Sequence, residues 1–204
     1  MGGDAETRHL METATRLFAG LGFDGTPLRM IADAAGVDMD VLTARFGDRA
    51  QLYREVMKNA YEVERSALEE AIAHFVPTVE GLNELADVYL DFCIEHPHIV
   101  ALWMHRWLGD AVDVTELEGA YSQPLVDMVI ETVGDQIPPD VDAEQLIWTI
   151  VWSVYGFLSG GVQHLSTQLA GEAGPGRHEP DPAAVQRFRS YLHTLIRRMT
   201  APGG

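Results

Sequence analysis

The chain of 204 residues has a single cysteine, Cys93, and few basic residues. One cysteine cannot form a disulfide within the chain, so we expect a protein of the reducing cytoplasm. We expect no secretion signal, because no stretch near Met1 combines a basic start, an apolar run and a small-residue cleavage site. The 14 lysines and arginines stand against 31 acidic residues, and this net charge of −17 argues against broad binding to nucleic acid or anionic membranes.

The shortage of positive charge is uneven along the chain. Residues 1 to 60 hold nine acids and seven bases, a net charge of −2, whereas the remainder holds 22 acids and seven bases, a net charge of −15. The near-neutral first sixty residues are therefore the part of the chain where we expect any contact with phosphates.

No apolar run is long enough to predict a membrane span. Residues 146–162 carry no charge, but a transmembrane helix needs about 20 apolar residues, and hydroxyl residues and three glycines interrupt this run. We interpret it as a helix of a soluble protein that is buried on several sides, one of them against a second subunit. Gly156, Gly160 and Gly161 would then allow close approach of the backbones.

Alternating strand patterns are also lacking, and the apolar spacing is helical throughout, so the predicted fold class is all-α. A first helix is predicted from Glu6 to Gly20, and a capping box at Asp48 and Gln51 begins a long helix to about Phe75. Asp142 and Asp181 are predicted to cap two later helices. Further helical spans are 79–95, 98–108, 116–133, 142–165 and 182–200, and a loop rich in glycine and proline is predicted at 171–182.

The stretch from Thr26 to Phe46 has the spacing of two short helices joined by a tight turn. Thr26 is predicted to cap the first helix and Pro27 to be its first residue, while Gly36 ends it and Asp38 caps the second helix. The apolar faces that would pack the two helices crosswise are Leu28, Ile31, Ala32 and Ala35 on the first and Val41, Leu42 and Phe46 on the second. This spacing is typical of a DNA-reading helix-turn-helix.

The sequence LFAGLGFDGTPLRMIADAAGVDMDVLTARFGDRAQLY, within residues 8–57, resembles the N-terminal signature of TetR-type transcriptional regulators. The residues that carry the resemblance are Leu17, Phe18, Gly22, Phe23, Thr26, Ile31, Ala32, Ala35, Gly36, Val37, Leu42, Phe46, Leu52 and Tyr53. The resemblance implies a three-helix DNA-binding head at residues 1–50 and a ligand-binding and dimerisation body at residues 51–204. It also implies a homodimer through the last two long helices, and an operator released when an effector binds the body.

The resemblance further implies the residues that would contact DNA in the major groove: Thr26, Arg29, Met39, Asp40, Thr43, Arg45 and Arg49. Thr26 and Arg49 stand where the family binds phosphates, and Arg45 can grip a guanine with two hydrogen bonds. Met39, Asp40 and Thr43 depart from the lysine or arginine, glycine or proline, and tyrosine that are common at these positions. Met39 would suit a thymine methyl group and Asp40 a cytosine amine.

Aromatic and polarisable residues crowd the body, and together they predict a ligand cavity, although for each of them ordinary core packing is the alternative. The predicted ligand-binding residues are Phe92, Trp103, Met104, Trp107, Tyr121, Met128, Trp148, Trp152 and Tyr155. The acidic body favours a neutral or cationic, apolar or aromatic effector, unless His105 or Arg106 attracts an anion locally.

No catalytic residue, metal site or cofactor is predicted. The cluster of Asp91, Glu95, His96, His98 and His105 has ligand chemistry, but Pro97 breaks its helical phase. The predicted function is a ligand-responsive, DNA-binding transcriptional regulator, with repression as the favoured sign. The alternative is a small-molecule-binding protein or enzyme on the same scaffold whose DNA binding has degenerated.

Overall fold

The computed structural model describes residues 2–160 and 180–201, and this part of the chain is helical and contains no strand, which confirms the predicted all-α class. The helices are α1 (Gly2–Leu21), α2 (Leu28–Ala35), α3 (Met39–Phe46), α4 (Arg49–Ala73), α5 (Val79–Glu95), α6 (Pro97–Trp107), α7 (Gln123–Val133), α8 (Ala143–Ser159) and α9 (Pro182–Met199). A π-helical turn, Glu118–Ser122, leads into α7, and a 3₁₀ turn, Gly134–Gln136, follows it.

The starts of α4, α8 and α9 agree with the sequence patterns because the predicted caps form hydrogen bonds. α1 is longer than predicted, and the predicted 116–133 helix is divided between the π-helical turn and α7. The carboxylates of Asp48, Asp142 and Asp181 accept the backbone N–H of Gln51 at 2.8 Å, Gln145 at 3.0 Å and Ala183 at 3.1 Å. Each bond pairs one of the donors that a helix leaves open at its N-terminus. Residues 161–165 of the predicted 142–165 helix and residues 171–179 of the predicted loop lie outside the described residues.

The chain divides into two compact units, each made of two stretches. The first unit holds the residues up to Val63 together with His98–Ser122, and the second holds Glu64–Pro97 and the chain from Gln123 onward. The predicted domains, 1–50 and 51–204, divide the chain by function and remain a prediction. Compactness adds α6 and the segment after it to the unit that contains α1, α2 and α3.

Each unit has its own apolar core. In the first unit the ring of Tyr53 lies 5.1 Å from Phe18 and 5.0 Å from Phe23, centroid to centroid. Around these rings, Leu10, Ile31, Leu42, Leu52 and Met57 are fully buried. The core of the second unit joins α5, α7, α8 and α9 through Leu82, Ala86, Val126, Val133, Ile147 and Ile196.

Candidate nucleic-acid interface and groove

A helix-turn-helix is present at the predicted place. α2 ends at Gly36, whose φ of 68° is left-handed and suits a residue without a Cβ atom. On α2, Ile31 and Ala32 are 0% and 1% exposed, and on α3 Leu42 is 0% exposed, so these side chains fasten the two helices to the head. The inward half of the motif is therefore as the sequence pattern predicts.

The outward face of α3, which we define as Asp40, Val41, Thr43, Ala44 and Arg45, is exposed to solvent. Val41 was predicted to pack on α2, and this prediction is wrong because Val41 is 41% exposed. Neighbouring residues on a helix point about 100° apart, so the burial of Leu42 turns Val41 outward. Val41 and Arg45, four residues apart, lie on one stripe of this face.

Hydrogen bonds within α3 limit which polar groups of the helix are available to contact DNA. The Thr43 hydroxyl donates a hydrogen bond to the Met39 carbonyl, one turn back along α3. Asp38 occupies the predicted N-cap position, with φ −69° and ψ 146°, but its side chain makes no capping hydrogen bond. Asp40 lies in the first turn, where the helix dipole favours negative charge.

Thr26 differs from its predicted role. The N-cap of α2 is Pro27, with an extended ψ of 146°, and Thr26 is fully buried. Its hydroxyl donates to the Gly22 carbonyl at 2.6 Å, the nearest acceptor one turn back, and so holds the turn between α1 and α2. The predicted cap is wrong, and the buried hydroxyl is not presented to a phosphate.

Two arginines predicted to contact DNA, Arg29 and Arg49, have different surroundings. Arg29 on α2 forms an ion pair with Asp33 at 4.0 Å, with both side chains largely exposed, and such pairs are weak. The Arg49 guanidinium lies 4.0 Å above the Phe23 ring and donates to the Phe23 carbonyl at 3.2 Å. Arg49 therefore also holds the turn before α2, a contact that its position in the sequence did not predict.

A carboxylate from far along the chain completes this turn. Asp110, after α6, accepts the backbone N–H of Phe23 at 2.5 Å and of Asp24 at 2.9 Å. Arg106 donates to the carbonyls of Asp110 and Ala111 and pairs with Glu118 at 2.6 Å. Sequence reasoning missed Asp110, because its partners are 86 and 87 residues away and no local pattern links them.

The ion pair between Arg106 and Glu118 stabilises the charged form of each side chain. The hydrogen bond from Arg106 lowers the pKa of Glu118, and the same bond raises the pKa of Arg106. Burial, followed by the charge of Asp110, raises the pKa of Tyr53. Arg106 is thus committed to this pair, with 10% of its side chain exposed, and the anion-attracting role considered for it has no support.

In the second unit a groove lies between the second half of α4 and α5, with a volume of about 470 Å³. Its lining combines apolar side chains with four exposed acids, Glu70, Glu84, Asp91 and Glu95, which we call the acidic rim. The full lining is Ala67, Glu70, Ala71, His74, Phe75, Gly81, Glu84, Leu85, Val88, Asp91, Phe92, Glu95 and His96. Asp91 already pairs with Arg189 at 2.5 Å. A groove of this composition suits an apolar molecule with a positive end.

Of the nine predicted ligand-binding residues, the structure places Phe92 in the lining of this groove. The Trp103 and Tyr155 side chains are core residues, each 2% exposed, whereas Trp152 is 53% exposed and stacks on Trp148 at 5.6 Å. Four of the nine belong to the first unit and five to the second. Ordinary packing explains the buried members, and a ligand role for the others remains a prediction.

Polar groups are also buried beside the groove-forming helices. The Tyr89 hydroxyl donates to Glu64 at 3.3 Å, and Glu64 is 4% exposed. Burial raises the pKa of Tyr89, Tyr155 and Cys93, so the Cys93 thiol is protonated and behaves as a small core residue. Within residues 2–160 and 180–201, no three histidine, cysteine or acidic side chains could share a metal ion.

The segment that contains the helix-turn-helix matches a known protein family. Residues 10–56 match the model of a family described as bacterial regulatory proteins, tetR family. No curated protein sequence matches the chain. Among the described residues, no helix has the length and apolar character needed to cross a membrane.

Three solved structures show the same fold over nearly the whole chain. A protein assigned as a fatty acid metabolism regulator of Clostridium perfringens has a TM-score of 0.68 and 16% identity, with 92% of this chain and 96% of that chain covered. The ketosteroid regulator KstR2 of Mycobacterium tuberculosis has a TM-score of 0.59 and 19% identity, covering 94% and 93%. A TetR-like regulator of Rhodococcus has a TM-score of 0.64 and 17% identity, covering 97% of each chain.

Proposed function

We propose that the chain is a dimeric repressor that an apolar effector releases from its operator, because residues 10–56 match the tetR family of bacterial regulatory proteins. The observation that carries the proposal is the outward face of α3. It is exposed on a helix whose inward Leu42 is fully buried, which is what a recognition helix in the major groove requires.

The side chains on this face suit a short set of base contacts. Arg45 can donate two hydrogen bonds to a guanine, Asp40 can accept one from a cytosine amine, and Val41 can contact a thymine methyl group. Exposed arginines outside α3, at positions 8, 16, 29 and 54, are available for the phosphate backbone. Each phosphate that an arginine neutralises releases counterions, so binding weakens as the salt concentration rises.

A homodimer is supported by the exposed stripe of α8. Its members lie three or four residues apart and carry no charge: Gln145, Thr149, Trp152, Gly156 and Ser159. Exposed faces of soluble helices usually carry charges, so an uncharged stripe with a half-exposed tryptophan favours burial against a second copy. On α9, Tyr191 is 54% exposed and extends the same apolar character.

The effector proposed here is an apolar molecule, neutral or with a positive end. The groove between α4 and α5 has Phe75, Leu85 and Phe92 in its lining, and its acids outnumber its two histidines. Two proteins of similar fold are named for fatty acid metabolism and for ketosteroids, which are apolar chemistries. The acidic rim favours a cation over a fatty acid anion for this chain.

The DNA-binding proposal is tested by selection of genomic fragments on the purified full-length protein at low salt, followed by titration of the selected fragment at several salt concentrations. We expect an enriched sequence with two related half-sites about one helical turn or more apart, and a linear fall of log affinity with log salt. A single half-site would contradict the dimer. A pool that stays random would favour the alternative function, a binding protein or enzyme with degenerate DNA contacts.

The effector proposal is tested by release of the selected fragment on addition of hydrophobic cations, neutral apolar compounds and carboxylates. Release by a cation should weaken several-fold in the variant Glu84→Gln with Glu95→Gln, because a screened surface charge near a bound cation contributes about 0.2–1 kcal/mol. The control is Glu80→Gln, an exposed acid at the start of α5 outside the groove lining. Equal loss in the control, or release by carboxylates alone, would contradict the proposed site.

A further inference from the structure

We propose that Asp110 is a positioning residue for operator binding: it fixes the turn between α1 and α2 and thereby sets the placement of the recognition helix. The inference rests on the proposed DNA-binding function. It assigns to the segment after α6 an indirect part in DNA recognition, although this segment lies more than sixty residues beyond α3 in the sequence. All the groups involved belong to the first compact unit.

The first support is that the polar backbone groups of the turn are paired from three sides. Asp110 accepts the N–H groups of Phe23 and Asp24, Thr26 donates to the Gly22 carbonyl, and Arg49 donates to the Phe23 carbonyl. Of these contacts, those from Asp110 come from the most distant part of the sequence. Hydrogen bonds to an ionised carboxylate are also the stronger kind.

The second support is the close fit between Asp110 and Gly22. A Cβ atom added at Gly22 would lie 3.1 Å from a carboxylate oxygen of Asp110, and the φ of Gly22 is +75°. The backbone of the turn thus lies directly against the carboxylate, with no space for a side chain between them. The Asp110 carboxylate therefore packs closely against the backbone at Gly22.

The third support is that Asp110 is itself held in place. Arg106 donates to the carbonyls of Asp110 and Ala111 while it pairs with Glu118. Ala111 has a φ of 56°, uncommon for a residue with a Cβ atom, and it is 1% exposed. Unusual backbone conformations of this kind persist where the surrounding structure determines them.

The turn controls the recognition helix because little chain separates them. α2 begins at Leu28, four residues after Asp24, and the tight turn at Gly36 fixes α3 relative to α2. Recognition contacts tolerate errors of only about 0.5 Å. A turn that loses its carboxylate would let α2 and α3 shift together, so specific contacts would weaken while general attraction to DNA would not.

The direction of the change in DNA affinity on substitution of Asp110 distinguishes loss of charge from loss of positioning. Asp110 contributes negative charge to the DNA-binding unit, so removal of this charge alone should strengthen binding to the phosphate backbone. Loss of positioning should weaken binding to the operator. The two explanations therefore predict opposite changes for the same substitution.

The experiment compares Asp110→Ala and Asp110→Asn with the matched controls Asp113→Ala and Asp113→Asn in the full-length protein. Asp113 is an exposed acid three residues further along the same segment, so the charge change is the same. Affinity is measured by fluorescence anisotropy on the selected operator fragment and on unrelated DNA, and folding is monitored by thermal unfolding. Asp110→Ala should weaken operator binding on the order of tenfold and leave binding to unrelated DNA equal or tighter.

The Asp113 variants should bind both DNAs equally well or slightly more tightly than the wild type. Asp110→Asn keeps one acceptor oxygen and should fall between Asp110→Ala and its control, which also decides the matter if Asp110→Ala does not fold. Operator affinity of Asp110→Asn and Asp110→Ala equal to that of the Asp113 controls would overturn the inference. Absence of specific binding by the wild type would instead overturn the proposed function.

Discussion

The turn at residues 22–26 and the outward face of α3 lie within the same short helical head but are built differently. In the turn, backbone donors and acceptors are bound by Asp110, Thr26 and Arg49, and the aromatic ring of Phe23 packs among core rings. The outward face of α3 consists of exposed side chains on a helix held from the other side by Leu42.

This difference separates what the fold requires from what recognition requires. Residues in the turn and on the inward faces are fixed by packing and hydrogen bonding, so a substitution there has a cost whatever DNA is bound. Exposed side chains on α3 are not fixed by core packing, so Asp40 and Thr43 can replace the residues that are common in the family without a loss of the fold. The family resemblance is accordingly strong in the frame and weak on the surface that would meet bases.

The largest predicted effect is the difference in stability between substitutions at two neighbouring residues of α3. Leu42→Ala removes a fully buried side chain from the contact between α3 and the head and should lower the free energy of unfolding by about 2–5 kcal/mol. Val41→Ala, one residue earlier and exposed, should change it by no more than about 0.5 kcal/mol. Chemical denaturation of the two variants and the wild type is the measurement.

Equal destabilisation by the two substitutions would break the distinction between the inward and outward sides of α3. It would mean that Val41 packs against a surface of the protein in solution. A neutral Leu42→Ala would be equally damaging, because the inward side would then not hold the helix.

Much of the helical frame follows from local sequence signals. Asp48, Asp142 and Asp181 were predicted to cap helices and do so, and the helix predicted at 79–95 is Val79–Glu95. Capping and apolar periodicity act over a few residues, so the sequence displays both the signal and its partner. The same holds for Gly36, whose left-handed conformation ends α2.

Three features of the head were not predicted from the sequence, because each depends on packing or on a choice between competing hydrogen-bond partners. Thr26 has a capping side chain, but its hydroxyl binds the Gly22 carbonyl, and helix α2 begins after Pro27. Val41 fits an apolar period, but the position of Leu42 decides which residue faces inward. Asp110 has no local signal for its contact with Phe23 and Asp24, which exists only once α6 packs in the first unit.

The ligand-binding residues are hard to predict for a related reason. Aromatic side chains such as Trp103 and Tyr155 fill cores because they bury a large apolar area, and the same chemistry lines cavities. The groove between α4 and α5 was not predicted, because its lining residues come from two separate stretches of the sequence that meet only in the folded protein. The apolar or cationic effector inferred from composition therefore stays a prediction, and of the nine predicted residues Phe92 lies in the groove lining.

The central claim, that the outward face of α3 reads the operator, is tested most directly by selection from a random DNA pool with the wild type and with Arg45→Ala in parallel. The wild type should enrich one sequence with two half-sites. Arg45→Ala should still unfold cooperatively, lose about 1–3 kcal/mol of operator affinity and relax the preference at one position in each half-site. Enrichment of the same sequence with the same preference at each position by both proteins would contradict the claim.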